Sequence, residues 1–567
     1  MPKLTIDGKE YEARAGQTVI QVIYENNLDL PHFCWHPALP VAGNCRMCLV
    51  EIEKMPKLAI ACATTVSEGM VVNTQSSNAT KGREDVMEFL LINHPLDCPI
   101  CDEAGQCKLQ DYAFNHSRGE SRFEEVKNHK DKRVAFGPNV LFDGERCISC
   151  SRCIRFGEEI AEQPILSFVH RGDHVTIEPF PGTQLDNPVS MNVIDICPVG
   201  ALTSRDFRFK ARAWDMSFTD TVCPGCANGC NIRVGVRDNE ILRLEPRPNP
   251  NVNDFWMCDE GRLTAYPSVN ADDRVSGAMQ KIGDAHRNVE LSSAIQTIAS
   301  ALKKYKADEI AFIASPYATL EDNFVFAELA KAKGIKHIGY FTNERGNDEK
   351  LLIKRDKTPN AYALKLLGVQ TFGDDFVASL RNGSIKAVYS LEDDFLGRTD
   401  LSGAFGKVAF FATHATNVNS TAKRSDVILP ASAWAEKEGV FINSGGWINL
   451  LKPAVATMHS VRGFDHLNQS RLDKYGTQFD RWAQRKKVDA IESWHLAQMV
   501  ASEMGKRTDF RYTEDVFEAA AAKLPALSGL DYDKLGGEGF PVNGIGRERK
   551  PIEYREVYQE STEAELV

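Results

Sequence analysis

All fifteen cysteines of this 567-residue chain lie between Cys34 and Cys258, and residues 259–567 hold none. Their spacing sorts them into groups. Cys34, Cys45, Cys48 and Cys62 read C-x10-C-x2-C-x13-C, and Cys98, Cys101 and Cys107 read C-x2-C-x5-C. Cys147, Cys150, Cys153 and Cys197 read C-x2-C-x2-C-x43-C-P, and Cys223, Cys226, Cys230 and Cys258 read C-x2-C-x3-C-x27-C. The amino-terminal stretch MPKLTIDGKEYEA alternates apolar and polar residues around Asp7-Gly8. That pattern predicts a hairpin rather than an export signal or an Arg-rich transit peptide. A disulfide framework is not expected in a large chain of that kind, so clustered cysteines point to metal, and the chain must fold around it.

Three groups are complete quartets, and one trio is left with no spare cysteine. Four sites need sixteen ligands, which fifteen cysteines and one histidine supply. His94 stands four residues before Cys98 in HPLDCPICDEAGQC, within reach of the trio, and histidine substitutes for thiolate at iron–sulfur centres. His116, beyond the trio, is the rival. His32 and His36 flank Cys34, but their group already has four thiolates, so they read as supporting structure. The second ring nitrogen of His94 is expected to donate to a backbone carbonyl or a carboxylate.

The metal follows from the spacing. C-x2-C-x2-C with a remote Cys-Pro is the bacterial ferredoxin arrangement for a four-iron cluster. The first group resembles the plant-type two-iron pattern with an enlarged first gap. The fourth group alone fits zinc or iron–sulfur, and its company favours iron–sulfur. Arg146, Arg152 and Arg155 interleave the third group. Beside an anionic cluster they would favour its reduced form; otherwise they form a solvated face. Gly43 in VAGNCRMC suits a loop wrapped closely on the first site.

A chain of this length needs several cores. Residues 1–78 read as strand, turn, strand, then the apolar helix TVIQVIYENN, a β-grasp ferredoxin pattern. Residues 79–118 carry the helical stretch REDVMEFLLIN and the trio; residues 119–216 carry the third group. Residues 217–273 carry the fourth group, with a hairpin expected around Asp238-Asn239. In 274–567, strands DEIAFIAS, HIGYFT, KAVYSL, KVAFFAT and DVILPA alternate with helices such as TLEDNFVFAELAKAKG. That alternation predicts a doubly wound parallel sheet, ending in a polar, irregular tail from Pro541. The fold class is therefore α+β ferredoxin-like domains, β-grasp first, followed by an α/β domain. The net charge of −11 argues against nucleic acid. No apolar run of 18 residues, no G-x-G-x-x-G after a strand and no phosphate-binding loop is found, so no site for two-electron chemistry and no catalytic residue is assigned.

In order and spacing the four groups resemble the large iron–sulfur subunit of respiratory complex I, over residues 1 to about 265. The resemblance implies a 2Fe-2S cluster on Cys34, Cys45, Cys48 and Cys62. It implies 4Fe-4S clusters on His94, Cys98, Cys101 and Cys107, on Cys147, Cys150, Cys153 and Cys197, and on Cys223, Cys226, Cys230 and Cys258. It implies a subunit of the peripheral arm that relays single electrons from an NADH/FMN-binding partner toward 4Fe-4S subunits on the quinone side. The NADH and quinone sites would lie on those partners. The chain would sit peripherally on the cytoplasmic face of the bacterial inner membrane, held there only through partner subunits. The second half, notably RSDVILPASAWAEKEGVFINSGGWI (424–448), is similar to molybdopterin oxidoreductases. It lacks a thiolate for molybdenum and room for the usual C-terminal β-barrel, so a degenerate scaffold without molybdopterin is expected. The alternative is an electron-transfer subunit of a soluble NAD-linked hydrogenase or formate dehydrogenase.

Overall fold

At Asp7 and Gly8 the backbone turns through positive φ, 46° and 83°, and pairs Lys3–Ile6 with Lys9–Glu12 in antiparallel register. Two successive positive φ angles match the right-handed twist of the strands they join. The computed structural model describes residues 1–399, 401–460, 487–506, 508–543 and 554. These form two compact units, one built on Met1–Asp215 and one running from Met216.

In the first unit, Lys3–Ile6 also pairs in parallel with Met70–Asn73, and Leu49–Ile52 and Ala59–Ile60 complete a five-stranded mixed sheet. The helix Val19–Glu25 starts at Thr18, whose N–H donates to the Gln21 side chain at 2.8 Å. It buries Val19, Ile20, Val22 and Ile23 against that sheet. This is the expected β-grasp. Next comes the helix Ser77–Leu91, capped by Ser76 Oγ, which accepts from Ala79 N at 3.2 Å. It begins well before REDVMEFLLIN because the Ser76 cap satisfies an otherwise orphaned donor. Of the third cysteine group, Cys147 and Cys150 lie in the loop between the strand Val140–Phe142 and the helix Arg152–Glu159, Cys153 lies on that helix, and Cys197 follows the helix Asn192–Asp195.

The second unit opens with an antiparallel meander, Ser217–Val222, Asn231–Arg237 and Glu240–Pro246, turning at Asp238 and Asn239 with φ 53° and 63°. An eight-stranded sheet follows, in the order Ala285–Asn288, Met279–Ile282, Val427–Pro430, Phe410–Ala415, Ala387–Ser390, Ile310–Ile313, His337–Tyr340, Gln370–Thr371. All neighbours from Val427–Pro430 onward are parallel. Alternate residues feed opposite faces. Ile310 and Phe312 join the core under the helix Leu291–Lys304; Ala311 and Ile313 join the core under Asp374–Asn382. A sheet buried on both faces is why these strands read as continuous apolar runs. The helix Leu320–Lys333 ends at Gly334, φ 77°, as its sequence predicts.

Two features were not expected. An antiparallel hairpin, Met279–Ile282 with Ala285–Asn288, closes one edge of the sheet. A separate small sheet joins Gly439–Ile442, Trp447–Leu451 and Phe540–Pro541. Pro541, the expected start of an irregular tail, therefore pairs with Trp447; most of that tail lies outside the described residues. Among the described residues no helix is long and apolar enough to cross a membrane.

Candidate metal centres

The first group closes on itself. Cys34, Cys48 and Cys62 are buried, and Cys45 is partly so. The Cys34 thiol, hydrogen-bonded by Cys45 and Cys62, is held far below the usual thiol range. Cys62 is driven up by the same contacts with Cys34 and Cys48. Thiols this close compete for protons until a cation displaces them, which is the donor chemistry a metal cluster needs. Gly43 turns the loop at φ 64°, where a side chain would be strained. His32 Nδ1 lies 2.8 Å from the Leu30 carbonyl, and His36 Nδ1 accepts from Ala38 N at 3.2 Å. Both histidines are thus engaged with local backbone.

The second group surrounds a cavity of about 510 Å³ lined by His94, Cys98, Cys101 and Cys107. His94 stands just beyond the helix Ser77–Leu91, and Cys107 is the N-cap of Lys108–His116. His116, at the far end of that helix, is not part of the lining; its ring packs on Tyr112 instead, 5.9 Å between centroids. Burial, then the charges of Lys127 and Arg146, push His94 down to about 4, so it presents a neutral imidazole. One expectation fails: neither ring nitrogen of His94 has a hydrogen-bond partner among the described residues. The ring lines the cavity, where Asp97 is taken up by Arg146 and Lys132.

Arg146 is the second correction. It precedes Cys147 in sequence, yet its side chain lines the cavity of the second group. There it donates to Asp97 Oδ2 at 2.9 and 3.0 Å, with Asp143 Oδ2 at 3.4 Å. Lys132 joins the same Asp97 at 2.7 Å.

Cys147, Cys150, Cys153 and Cys197 line one small apolar cavity with Phe142, Ile177 and Leu202. Burial pushes the Cys147 thiol up to about 11, and burial plus the three neighbouring sulfurs pushes Cys153 well above its ordinary value. Ser149 N donates to Cys147 Sγ at 3.4 Å. The segment after Cys197 also walls the second site. The Pro198 carbonyl accepts from Lys108 N at 3.1 Å and lies 3.9 Å from Cys107 Sγ. A Cβ on Gly200 would fall 2.1 Å from Cys101 Sγ. Gly200 carried no motif signal in the sequence. Gly200→Ala is expected to displace Cys101 and leave the second site empty or labile with the other three filled. Site-resolved EPR of the purified variant checks this, and an undisturbed second-site signal contradicts it.

The fourth group is fully buried, with Cys223 close to Cys230, Cys258 and Cys226. Gly225 N, Asn228 Nδ2 and Gly261 N donate to Cys223, Cys230 and Cys258 sulfurs at 3.4, 3.1 and 3.2 Å. Such donors stabilise thiolate and shape a cluster's potential. A Cβ on Gly261 would meet Cys223 and Cys258 Sγ at 3.2 Å each, so the backbone approaches the sulfurs closely. Ala227 N donates to the Asp356 carbonyl and Ser444 N to the Ala227 carbonyl, both at 2.9 Å, tying this loop to the α/β half.

Comparison with known proteins follows the same order along the chain. The 2Fe-2S iron-sulfur cluster binding domain matches residues 2–77, and the NADH-ubiquinone oxidoreductase-G iron-sulfur binding region matches 83–122. The ferredoxin-like domain of NADH-quinone oxidoreductase subunit 3 matches 137–203. The molybdopterin oxidoreductase Fe4S4 domain matches 216–267, and the molybdopterin oxidoreductase family matches 367–462. The mitochondrial 78 kDa subunit of NADH-ubiquinone oxidoreductase from Neurospora crassa is 46% identical over 264 residues, 46% of this chain and 35% of its own. The 75 kDa subunit of NADH-ubiquinone oxidoreductase from Reclinomonas americana is 38% identical over 340 residues, 60% of this chain and 49% of its own. The corresponding NADH-quinone oxidoreductase chain of Rickettsia felis is 42% identical over 355 residues, 61% of this chain and 52% of its own. The chain is similar to the large iron–sulfur subunit of NADH-quinone oxidoreductase. It spans about half the length, or less, of these relatives. Among solved structures, an NAD+-reducing [NiFe]-hydrogenase in the H2-reduced state covers 37% of this chain and 90% of its own, at 28% identity and a TM-score of 0.33.

Proposed function

We propose that this chain is an electron-transfer subunit of the peripheral arm of respiratory complex I, standing between an NADH/FMN-binding subunit and 4Fe-4S subunits on the quinone side. What supports the reading is that His94, Cys98, Cys101 and Cys107 line one cavity and Cys147, Cys150, Cys153 and Cys197 another, with the Cys197–Gly200 segment forming walls of both. Bound there, one 2Fe-2S and three 4Fe-4S clusters would supply one-electron carriers. The chain's own residues hold the sulfurs, exclude water by burial, and aim N–H donors and guanidinium groups at the sites. The α/β half offers no cysteine after Cys258, and we read it as a scaffold without molybdopterin. The chain is a peripheral one, on the cytoplasmic face of the bacterial inner membrane, reaching the bilayer through its partners.

The test is anaerobic purification of the native assembly from the source cells. It should contain NADH- and quinone-linked partners, about fourteen iron atoms per copy of this chain, and neither molybdenum nor tungsten at stoichiometric level. Recovery with a hydrogenase or formate dehydrogenase catalytic subunit would overturn the assignment. Zinc in place of a cluster would overturn that site, and a bound pterin would overturn the scaffold reading.

A further inference from the structure

The helix Arg152–Glu159 sends two arginines from one turn into the first cysteine loop, and both residues are 9% exposed. Arg155 donates to the carbonyls of Cys34 and Pro40, and to that of Cys150 at 3.4 Å; its Nε donates to Ser151 Oγ at 3.1 Å. Arg152 donates to the Trp35 carbonyl and, at 3.0 Å, to the Ile196 carbonyl. One guanidinium therefore joins Cys34 of the first group to Cys150 of the third. The other joins the residue after Cys34 to the residue before Cys197. Asn44 Nδ2 adds a third bridge, donating to the Ser149 carbonyl at 3.2 Å.

Among the described residues no carboxylate lies within ion-pair distance of either arginine. Two adjacent buried cations without an anion are costly, because burial strips their hydration and neutral carbonyls return only part of it. The anions that would complete them are thiolate-ligated clusters in the first and third sites. We propose that Arg152 and Arg155 are positioning residues shared by those two clusters. Their forks set the spacing between the sites, and their charge makes both clusters easier to reduce. The proposal rests on the reading that both sites hold iron–sulfur clusters. It adds that the potentials of the two are tied through one pair of side chains. Lysine could supply the charge but not the fork, since it is a point donor on a flexible stem.

The experiment uses the whole complex. Iron content and the EPR signals of the parent come first; if the parent lacks two-iron and four-iron signals, the cluster reading itself has failed. Arg155→Gln and Arg155→Lys are then titrated by EPR-monitored potentiometry, and spin relaxation reports the interaction between the two clusters. With clusters retained, Arg155→Gln is expected to lower the reduced-to-oxidised ratio of both clusters at least tenfold at fixed ambient potential, about 59 mV for a one-electron couple. Arg155→Lys is expected to restore both potentials while altering the spin interaction. Should Arg155→Gln assemble poorly, Arg152→Gln serves for the same titration. Unchanged potentials in a loaded glutamine variant, or a shift confined to the third site, would overturn the shared role. An unaltered spin interaction in Arg155→Lys would overturn the spacing role.

Discussion

His94→Ala is expected to remove the cluster of the second site, or leave it partly three-iron and labile, while His116→Ala leaves it intact. His94 and the three cysteines line one cavity, whereas His116 faces Tyr112 at the far end of its helix. His94→Cys should keep a four-iron cluster but make it harder to reduce. An anionic thiolate then replaces an imidazole that burial, Lys127 and Arg146 keep neutral. Neutral histidine ligands raise potential at Rieske centres for the same reason. The measurement is EPR-monitored redox titration of the three variants in assembled complex. A disturbed signal in His116→Ala with a normal one in His94→Ala would show that the ligand has been misassigned.

Lys437→Met is expected to destabilise the α/β half by about 3–5 kcal/mol, the usual consequence of removing one partner from a buried ion pair. Lys437 Nζ lies 2.7 Å from Asp322 Oδ2 and 2.6 Å from Glu392 Oε2, all three side chains nearly inaccessible. Burial alone would lower the Lys437 pKa, yet Asp322 and Glu392 outweigh it and hold it above the ordinary lysine value. Removing the ammonium leaves two carboxylates facing each other in the dry interior. Replacing all three together, Lys437→Met with Asp322→Asn and Glu392→Gln, should recover much of the loss, because no charge then stays uncompensated. Chemical denaturation followed by tryptophan fluorescence checks both; equal stability of Lys437→Met and the parent would show that the cluster contributes little.

Local chemistry was legible in the sequence. The hairpin at Asp7-Gly8 and the one at Asp238-Asn239 follow from residues that accept positive φ. The helix ending at Gly334 and the strands Ile310–Ile313, Ala387–Ser390 and Val427–Pro430 follow from cap and apolar-run patterns. Sulfur spacing sorted the cysteines because ligands to one cluster must lie on one tight loop plus a remote return. The edge strands Met279–Ile282 and Ala285–Asn288 were missed; they carry charged and polar residues and so no apolar run.

What each loop faces was decided only by tertiary structure. Arg146 and Cys147 are adjacent, yet the arginine turns to the second site while the cysteine serves the third. Gly200 and Cys101 lie ninety-nine positions apart in sequence and meet so closely that a single methyl group would collide. Arg152 and Arg155 read as a solvated face or as partners of the third group alone, and in the fold they also bind the carbonyls of Trp35, Cys34 and Pro40. Motif spacing encodes what must be near along the chain. The orientation of a side chain between two packed loops depends on burial and on the hydrogen-bond partners that long-range packing brings within reach, and neither has a signature in the order of residues.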